Sequence, residues 1–142
     1  MPQLQSVWLA AKTSCNKLVV IFALVIIDQT TKLAARNWQM AVLNSGGMLG
    51  VFPGKAWVLM MTVGIIGFLW WSRKNLQSKF EKFSGAVIVG SGVSNLFDRL
   101  VWGGVWDFIY YPYLNVTGNV ADVMLGVGVG LLLFSEFKGH RI

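Results

Sequence analysis

Four blocks of apolar residues constrain this chain more than any other feature of its sequence. They run from about 18 to 36, 56 to 72, 84 to 101 and 119 to 137. Each approaches the roughly 20 residues that an α-helix needs to cross the hydrocarbon core of a membrane. Only 13% of the residues are charged, roughly half the share found in an ordinary soluble domain. The sequence therefore predicts an all-α membrane protein, one domain that forms a bundle of four transmembrane helices.

Composition and charge argue against the common soluble alternatives. A soluble protein with an apolar core carries its apolar residues at amphipathic spacing, whereas here they come in long blocks. The net charge of +6 would fit nucleic-acid binding, but the basic residues cluster beside the apolar blocks, so membrane orientation explains them better and no nucleic-acid partner is expected. Cys15 and His140 are the single cysteine and histidine, so neither a metal site nor a cofactor is expected.

The distribution of lysine and arginine predicts how the bundle lies in the membrane. Basic residues precede the first span, fill the second loop and end the chain. They are Lys12, Lys17, Arg73, Lys74, Lys79, Lys82, Lys138 and Arg141. Because cytoplasmic segments are enriched in basic residues, both termini and the second loop are expected in the cytoplasm. The first and third loops, which are rich in Trp and Tyr, are then expected at the outer surface, where aromatic side chains favour the headgroup layer.

Small residues predict where the third and fourth helices meet. One stripe with a four-residue repeat lies on each helix: Ala86, Gly90, Ser94 and Asp98 on the third, and Asp122, Gly126 and Gly130 on the fourth. Small side chains let membrane helices approach closely. We therefore expect the two stripes to pack against each other, with their carboxylates in the contact.

The four aspartates all fall at the expected outer side, where an unpaired charge is costly. Asp28 precedes Lys32 by four residues, which is the favourable order for an ion pair on a helix. This pair either anchors the first helix or shapes a site. Asp98 lies beside Arg99, which we expect to hold that carboxylate ionised, and Asn95 is one turn back. These three residues are interpreted as a hydrogen-bonded brace.

Asp107 and Asp122 lack such basic neighbours. Asp107 lies in the alternating segment 105–109, which predicts a short strand and an apolar environment of the kind that raises a carboxyl pKa. Asp122 follows Asn119 by three residues, so the two either form a helix cap or contribute to a site. An ionised and a protonated carboxyl close together can activate water and polarise a carbonyl, as in aspartic proteases.

Five short motifs follow one another in order between residues 28 and 122. They are Asp28-Gln29-Thr30-Thr31-Lys32, Asn44-Ser45-Gly46-Gly47, the run from Gly90 to Leu100, Val105-Trp106-Asp107-Phe108-Ile109, and Asn119-Val120-Ala121-Asp122. In this order the motifs resemble those of the lipoprotein signal peptidases, also called signal peptidase II. Each motif is weak alone, but five in order on a chain with four apolar blocks make a specific pattern.

The resemblance implies an intramembrane aspartic peptidase of the bacterial inner membrane, with a small outer β-cradle beside the four-helix bundle. It would cut the signal peptide from a prolipoprotein with a diacylglyceryl-modified cysteine, as a monomer in contact with membrane lipid. By analogy, the catalytic pair is Asp107 and Asp122. The residues that would bind substrate or support the site are Asp28, Lys32, Asn44, Gly47, Asn95, Asp98, Arg99 and Asn119.

Some positions depart from the family pattern. Ser91 and Ser94 stand where the family has glycines, and Gly118 stands where it has phenylalanine. The first outer loop is also short for a full cradle. A non-enzymatic four-span transporter or assembly factor is the alternative, and it predicts acidic residues spread through the depth of the membrane.

Overall fold

The structure, a computed structural model, describes residues 2–46 and 54–139, with side chains described from 17 to 46 and from 55 to 137. Within these residues the chain forms four helices and four short strands. The helices are α1 Pro2–Asn37, α2 Gly54–Asn75, α3 Lys79–Trp102 and α4 Val120–Gly139. The strands are β1 Val42–Asn44, β2 Val105–Asp107, β3 Ile109–Tyr111 and β4 Val116–Gly118.

Three helices in the described part of the chain are long and apolar enough to cross a membrane. They are α1 over Lys17–Asn37, α2 over Lys55–Asn75 and α4 over Val120–Phe137. α3 is not among them. It is the inner helix, and it packs against α1, α2 and α4. Its small and polar residues are buried against these neighbours, so a less apolar composition is compatible with its position.

α1 begins much earlier than the apolar block predicts, at Pro2 rather than near residue 18. Proline suits the first position of a helix, because its missing N–H has no helical partner there. No further proline or glycine interrupts the sequence before Asn37. The polar stretch therefore continues the helix beyond the segment long enough to span a membrane.

The predicted contact between the two small-residue stripes is wrong, although α3 and α4 do pack together. Gly90 faces α1 instead, where an added Cβ would lie 3.2 Å from the Cα of Ile21. Gly126 has open space around it. α4 approaches α3 through Gly128, whose Cβ would lie 2.9 Å from Ile88 Cγ1. Because α3 is enclosed by three helices, its small-residue face is used for α1 and α4 meets a different face.

The strands lie where α1 and α3 end and α4 begins, which we call the site end of the bundle. β1 pairs antiparallel with β2, and β3 with β4, so the described residues contain two small two-stranded sheets. The strand predicted at Asp107 is therefore confirmed, as is a small β region. Gly104 allows β1 and β2 to approach, since a Cβ there would lie 2.8 Å from the carbonyl oxygen of Asn44.

Candidate active site

Asp107 and Asp122 are brought together by a single residue, Asn119. Asp107 ends β2, whereas Asp122 lies in the first turn of α4. Asn119 Nδ2 donates to Asp107 Oδ1 at 2.8 Å. The backbone N–H of Asn119 donates to Asp122 Oδ2 at 3.1 Å, and the backbone N–H of Asp122 donates back to Asn119 Oδ1 at 3.1 Å. This reciprocal pair is a capping box, so the predicted cap exists and one of its members also holds Asp107.

The Asp107 carboxyl is nearly sealed from the surface. The residue as a whole is only 3% exposed. Its second oxygen, Oδ2, accepts a hydrogen bond from Asn44 Nδ2 at 3.0 Å, because the pairing of β1 with β2 brings Asn44 alongside. Burial raises the pKa of Asp107, and the hydrogen bonds from Asn44 and Asn119 offset only part of that rise. The burial and the raised pKa of Asp107 agree with the prediction, but the contacts of its carboxyl oxygens are two asparagine amides rather than apolar side chains.

Asp122, in contrast, is exposed. Its Oδ1 accepts a hydrogen bond from Asn95 Nδ2 at 2.8 Å, and its Oδ2 accepts from the backbone of Asn119. An added Cβ at Gly118 would lie 3.1 Å from Asp122 Oδ2. The same Cβ would lie 3.1 Å from Tyr111 Cε2, so the glycine lets Tyr111 and the Asp122 carboxylate both pack closely against the backbone here. The pair therefore consists of one buried and one accessible carboxyl.

A buried lysine lies behind this pair. Lys32 is 2% exposed, and its ammonium has three acceptors: Asp28 Oδ2 at 2.6 Å, Asp98 Oδ2 at 2.8 Å and Asn95 Oδ1 at 2.8 Å. An ammonium carries three N–H donors, so every donor is satisfied. The expected Asp28–Lys32 ion pair is present. Because Asn95 accepts from Lys32 and donates to Asp122, it connects the buried lysine to the exposed carboxyl.

Asp28 connects α1 to the start of α4. Its Oδ1 accepts from the backbone N–H of Ala121 at 2.8 Å, and its Oδ2 accepts from Ser94 Oγ at 2.7 Å. The first N–H groups of a helix have no partner within the helix, so a carboxylate there supplies a missing acceptor. Its negative charge also interacts favourably with the positive end of the helix dipole. Asp28 therefore anchors the turn of α4 that carries Asp122.

The expected pairing of Asp98 with Arg99 is not observed. Asp98 binds Lys32 instead and accepts from Gln29 Nε2 at 2.8 Å. Consecutive residues on a helix point in different directions, so they do not face each other. Arg99 Nη2 donates to the carbonyl of Gly46 at 3.3 Å. Its Nε and Nη1 are buried with no hydrogen-bond partner among the described residues.

The structure thus gathers nearly all of the predicted site residues into one network at the site end. Asp28, Lys32, Asn95 and Asp98 form its base, while Asn44 and Asn119 contact Asp107. Gly47 lies outside the described residues. No group of three metal-ligating side chains occurs in the part of the chain that the structure describes.

Two members of the network, Gln29 and Ser94, were not predicted as site residues from the sequence, although both lie in the motifs named there. Gln29 Nε2 donates to Ser94 Oγ at 3.0 Å as well as to Asp98. Ser94, which replaces a family glycine, donates its own hydroxyl proton to Asp28. The available signal was helical spacing, since Ser94 lies four residues before Asp98 and shares its face.

Comparisons with known proteins identify the family. The Peptidase_A8 family, described as signal peptidase (SPase) II, matches residues 20–138. The lipoprotein signal peptidase of Caldicellulosiruptor bescii is 32% identical over 135 residues, which cover 84% of this chain and 89% of that protein. The lipoprotein signal peptidase of Helicobacter pylori is 40% identical over 81 residues, but this match spans only 56% of this chain and 50% of that protein.

A solved structure supports the fold. A bacterial membrane enzyme solved by the in meso method at 2.3 Å resolution superposes with a TM-score of 0.78, covering 89% of this chain and 90% of that chain at 21% identity. A second one, at 1.9 Å resolution, gives a TM-score of 0.75 at 22% identity. The family match covers most of the sequence and includes every residue of the network described above. The chain belongs to the signal peptidase II family, a family of peptidases.

Proposed function

We propose that this chain is an aspartic endopeptidase that removes the signal peptide from lipid-modified prolipoproteins. Family membership supports cleavage of signal peptides from prolipoproteins. The observation that carries the aspartic mechanism is the shared contact of Asp107 and Asp122 with Asn119, with one carboxyl buried and the other exposed. Such asymmetry separates the two carboxyls into an acid and a base.

In the proposed reaction Asp122 is ionised and Asp107 is protonated. Asp122 takes a proton from a water molecule as the water oxygen attacks the carbonyl carbon of the scissile bond. Asp107 donates its proton to the carbonyl oxygen, which gives a neutral tetrahedral intermediate. Collapse of that intermediate returns a proton to Asp107 from a hydroxyl, and Asp122 passes its proton to the departing amine. No metal ion or cofactor takes part.

The surrounding residues support this chemistry in distinct ways. Asn44 and Asn119 fix the two oxygens of Asp107, and Asn95 fixes Asp122. Arg99 has two buried N–H-bearing nitrogens without a protein partner among the described residues. We propose that these groups bind a main-chain carbonyl of the substrate near the scissile bond, because a buried donor left unpaired is costly.

We further propose that all four helices cross the bacterial inner membrane, with both termini in the cytoplasm and the site end at the outer face. The basic residues of the second loop support this orientation. α3 is enclosed by the other helices, so its polar residues need not face lipid. The substrate's diacylglyceryl-modified cysteine would then meet Asp122 near the membrane surface.

Replacement of each carboxyl tests the proposal. We expect Asp107→Asn and Asp122→Asn to lower the rate of prolipoprotein cleavage in detergent by about 10⁴-fold or more, as for other groups that act as a unit. Each protein must first elute and unfold like the wild type. Asp98→Asn is the comparison variant: it removes a carboxylate that binds Lys32 rather than a member of the pair, so it should mainly lower stability or yield and leave turnover in the folded fraction. Full activity in either of the first two variants would remove that residue from the catalytic pair.

The alternative of a transporter or assembly factor is not favoured. A polar pathway needs acidic residues at several depths, whereas Asp28, Asp98, Asp107 and Asp122 are joined in one network at the site end. Family membership points the same way.

A further inference from the structure

Arg36 has an arrangement that the proposed peptidase activity does not use. It lies near the end of α1, and its guanidinium carbon is 4.2 Å from the ring centre of Trp102 and 4.5 Å from that of Trp106. The two indoles meet edge to face, with centroids 6.4 Å apart. An arginine stacked on aromatic faces is held in one orientation, and its N–H groups point outward in the plane of the guanidinium.

The charge of Arg36 has no acidic partner among the described residues. The ion pairs of the described chain involve Lys32 instead. No carboxylate, carbonyl or amide oxygen of the described residues accepts a hydrogen bond from its guanidinium, although the side chain is half-buried. A positioned cation without an acidic partner among the described residues is able to bind an anion from outside the chain.

The surroundings indicate what kind of anion this is. Arg36 ends a stretch of α1 that is apolar enough to cross a membrane. Large apolar side chains close to it in sequence are exposed: Trp38 is 74% exposed, Met40 63% and Val42 62%. Trp102, which stacks on the guanidinium, is 45% exposed. Aromatic and apolar side chains around one cation are typical of the layer where acyl chains meet headgroups.

We infer that Arg36, held by Trp102 and Trp106, binds the phosphate of an anionic phospholipid at the site end of the bundle. This inference rests on the proposed insertion of the helices in a membrane. The planar guanidinium matches two phosphate oxygens at once, while the exposed apolar side chains contact the upper part of the acyl chains. Trp106 directly precedes Asp107, so the bound lipid would lie beside the strand that carries a proposed catalytic carboxyl.

Quenching of tryptophan fluorescence by brominated lipid tests this inference. The protein is placed in vesicles of phosphatidylcholine that contain a small fraction of phosphatidylglycerol brominated close to the headgroup. The reciprocal mixture, with brominated phosphatidylcholine in phosphatidylglycerol, corrects for lipids that touch the protein without preference. For wild type we expect a roughly fivefold preference for phosphatidylglycerol at the quenched site, the ratio expected for one arginine facing an anionic headgroup.

Variants identify the residue responsible. Arg36→Gln should lower the preference to near one, and Arg36→Lys should keep only part of it, because a lysine lacks the planar fork. Arg73→Gln is the control: it removes one positive charge from the last turn of α2, away from the site end, and should keep the wild-type preference. Trp102→Phe should remove the part of the quenching that comes from the indole stacked on Arg36 and leave that of the other exposed tryptophans, such as Trp38.

Three results would overturn the inference: no preference in wild type, an unchanged preference in Arg36→Gln, or complete loss of preference when soluble glycerol phosphate is added at moderate concentration. The last result would mean that a free phosphate compound, not a lipid, is the ligand. The measurement needs no turnover and can be repeated on Asp107→Asn protein. It can therefore fail while the peptidase proposal stands, and the reverse also holds.

Discussion

Replacement of Lys32 by methionine is the sharpest test of the buried network. Methionine fills a similar volume but removes the ammonium that contacts Asp28, Asp98 and Asn95. Both carboxylates are 1% exposed, so they would face each other across the vacated position without water. Removing one partner of a buried ion pair costs about 3–5 kcal/mol. Since two acidic partners are left here, we expect the loss in the free energy of unfolding to lie at the upper end of that range.

The prediction can be checked by unfolding the protein with sodium dodecyl sulfate from a mild detergent and following tryptophan fluorescence. Lys55→Met is the matched control, because Lys55 is exposed and its loss should change stability by less than about 0.5 kcal/mol. The double variant Lys32→Met with Asp98→Asn should recover about 1–3 kcal/mol relative to the sum of the single changes, because one of the two unpaired charges is gone.

A loss smaller than about 1 kcal/mol for Lys32→Met, at the low end of the usual effect of a point mutation, would refute this reasoning. It would mean that the ammonium of Lys32 contributes little to stability and that the cluster is held by its other hydrogen bonds. Additive effects in the double variant would lead to the same conclusion.

Three further predictions concern the site and the packing around it. Burial raises the pKa of Asp107, and the amide of Asn44 opposes that rise. The rate of cleavage should therefore fall as pH rises through this pKa, and Asn44→Ala should move the fall to higher pH. A move to lower pH would contradict the assignment of Asp107 as the acid. Gly104→Ala puts a Cβ within 3.0 Å of backbone atoms of Asn44 and Ser45. It should therefore open the β1–β2 sheet, lower the free energy of unfolding by about 1–3 kcal/mol and lower turnover. Wild-type activity would show that the sheet can shift without effect. The Cβ added by Gly128→Ala meets Ile88 and the carbonyl of Ser84, so this variant should lower the free energy of unfolding by about 1–3 kcal/mol. Gly126→Ala lies in open space and should leave that free energy unchanged or raise it by up to about 1 kcal/mol. Equal effects in detergent unfolding would mean that α4 is rotated from the position described.

The parts that could be predicted from sequence are those set by short-range spacing or by apolar length. The Asp28–Lys32 pair follows from a four-residue separation on one helix. The cap formed by Asn119 and Asp122 follows from a three-residue separation at a helix start. The strand at Asp107 follows from local alternation. The five motifs then indicated that these separate pieces belong to one site.

The parts that were wrong depend on how each helix is rotated about its axis. Asp98 pairs with Lys32 because α1 packs on the face of α3 that carries Asp98. Sequence spacing shows which residues share a face, but not which neighbour that face meets. The same limit explains why the small residues of α3 were matched to α4, and why the bond from Ala121 to Asp28 could not be foreseen.

The capping box of α4 has a consequence for when this protein is able to cut peptide bonds. The Nδ2 group of Asn119 donates to Asp107, while its backbone N–H and its side-chain Oδ1 are engaged by Asp122. If the first turn of α4 frays, both carboxyls lose a common partner in the same event. Under the proposed mechanism, a chain that is inserted in the membrane but whose α4 has not docked would lack the assembled pair and would not cleave neighbouring proteins.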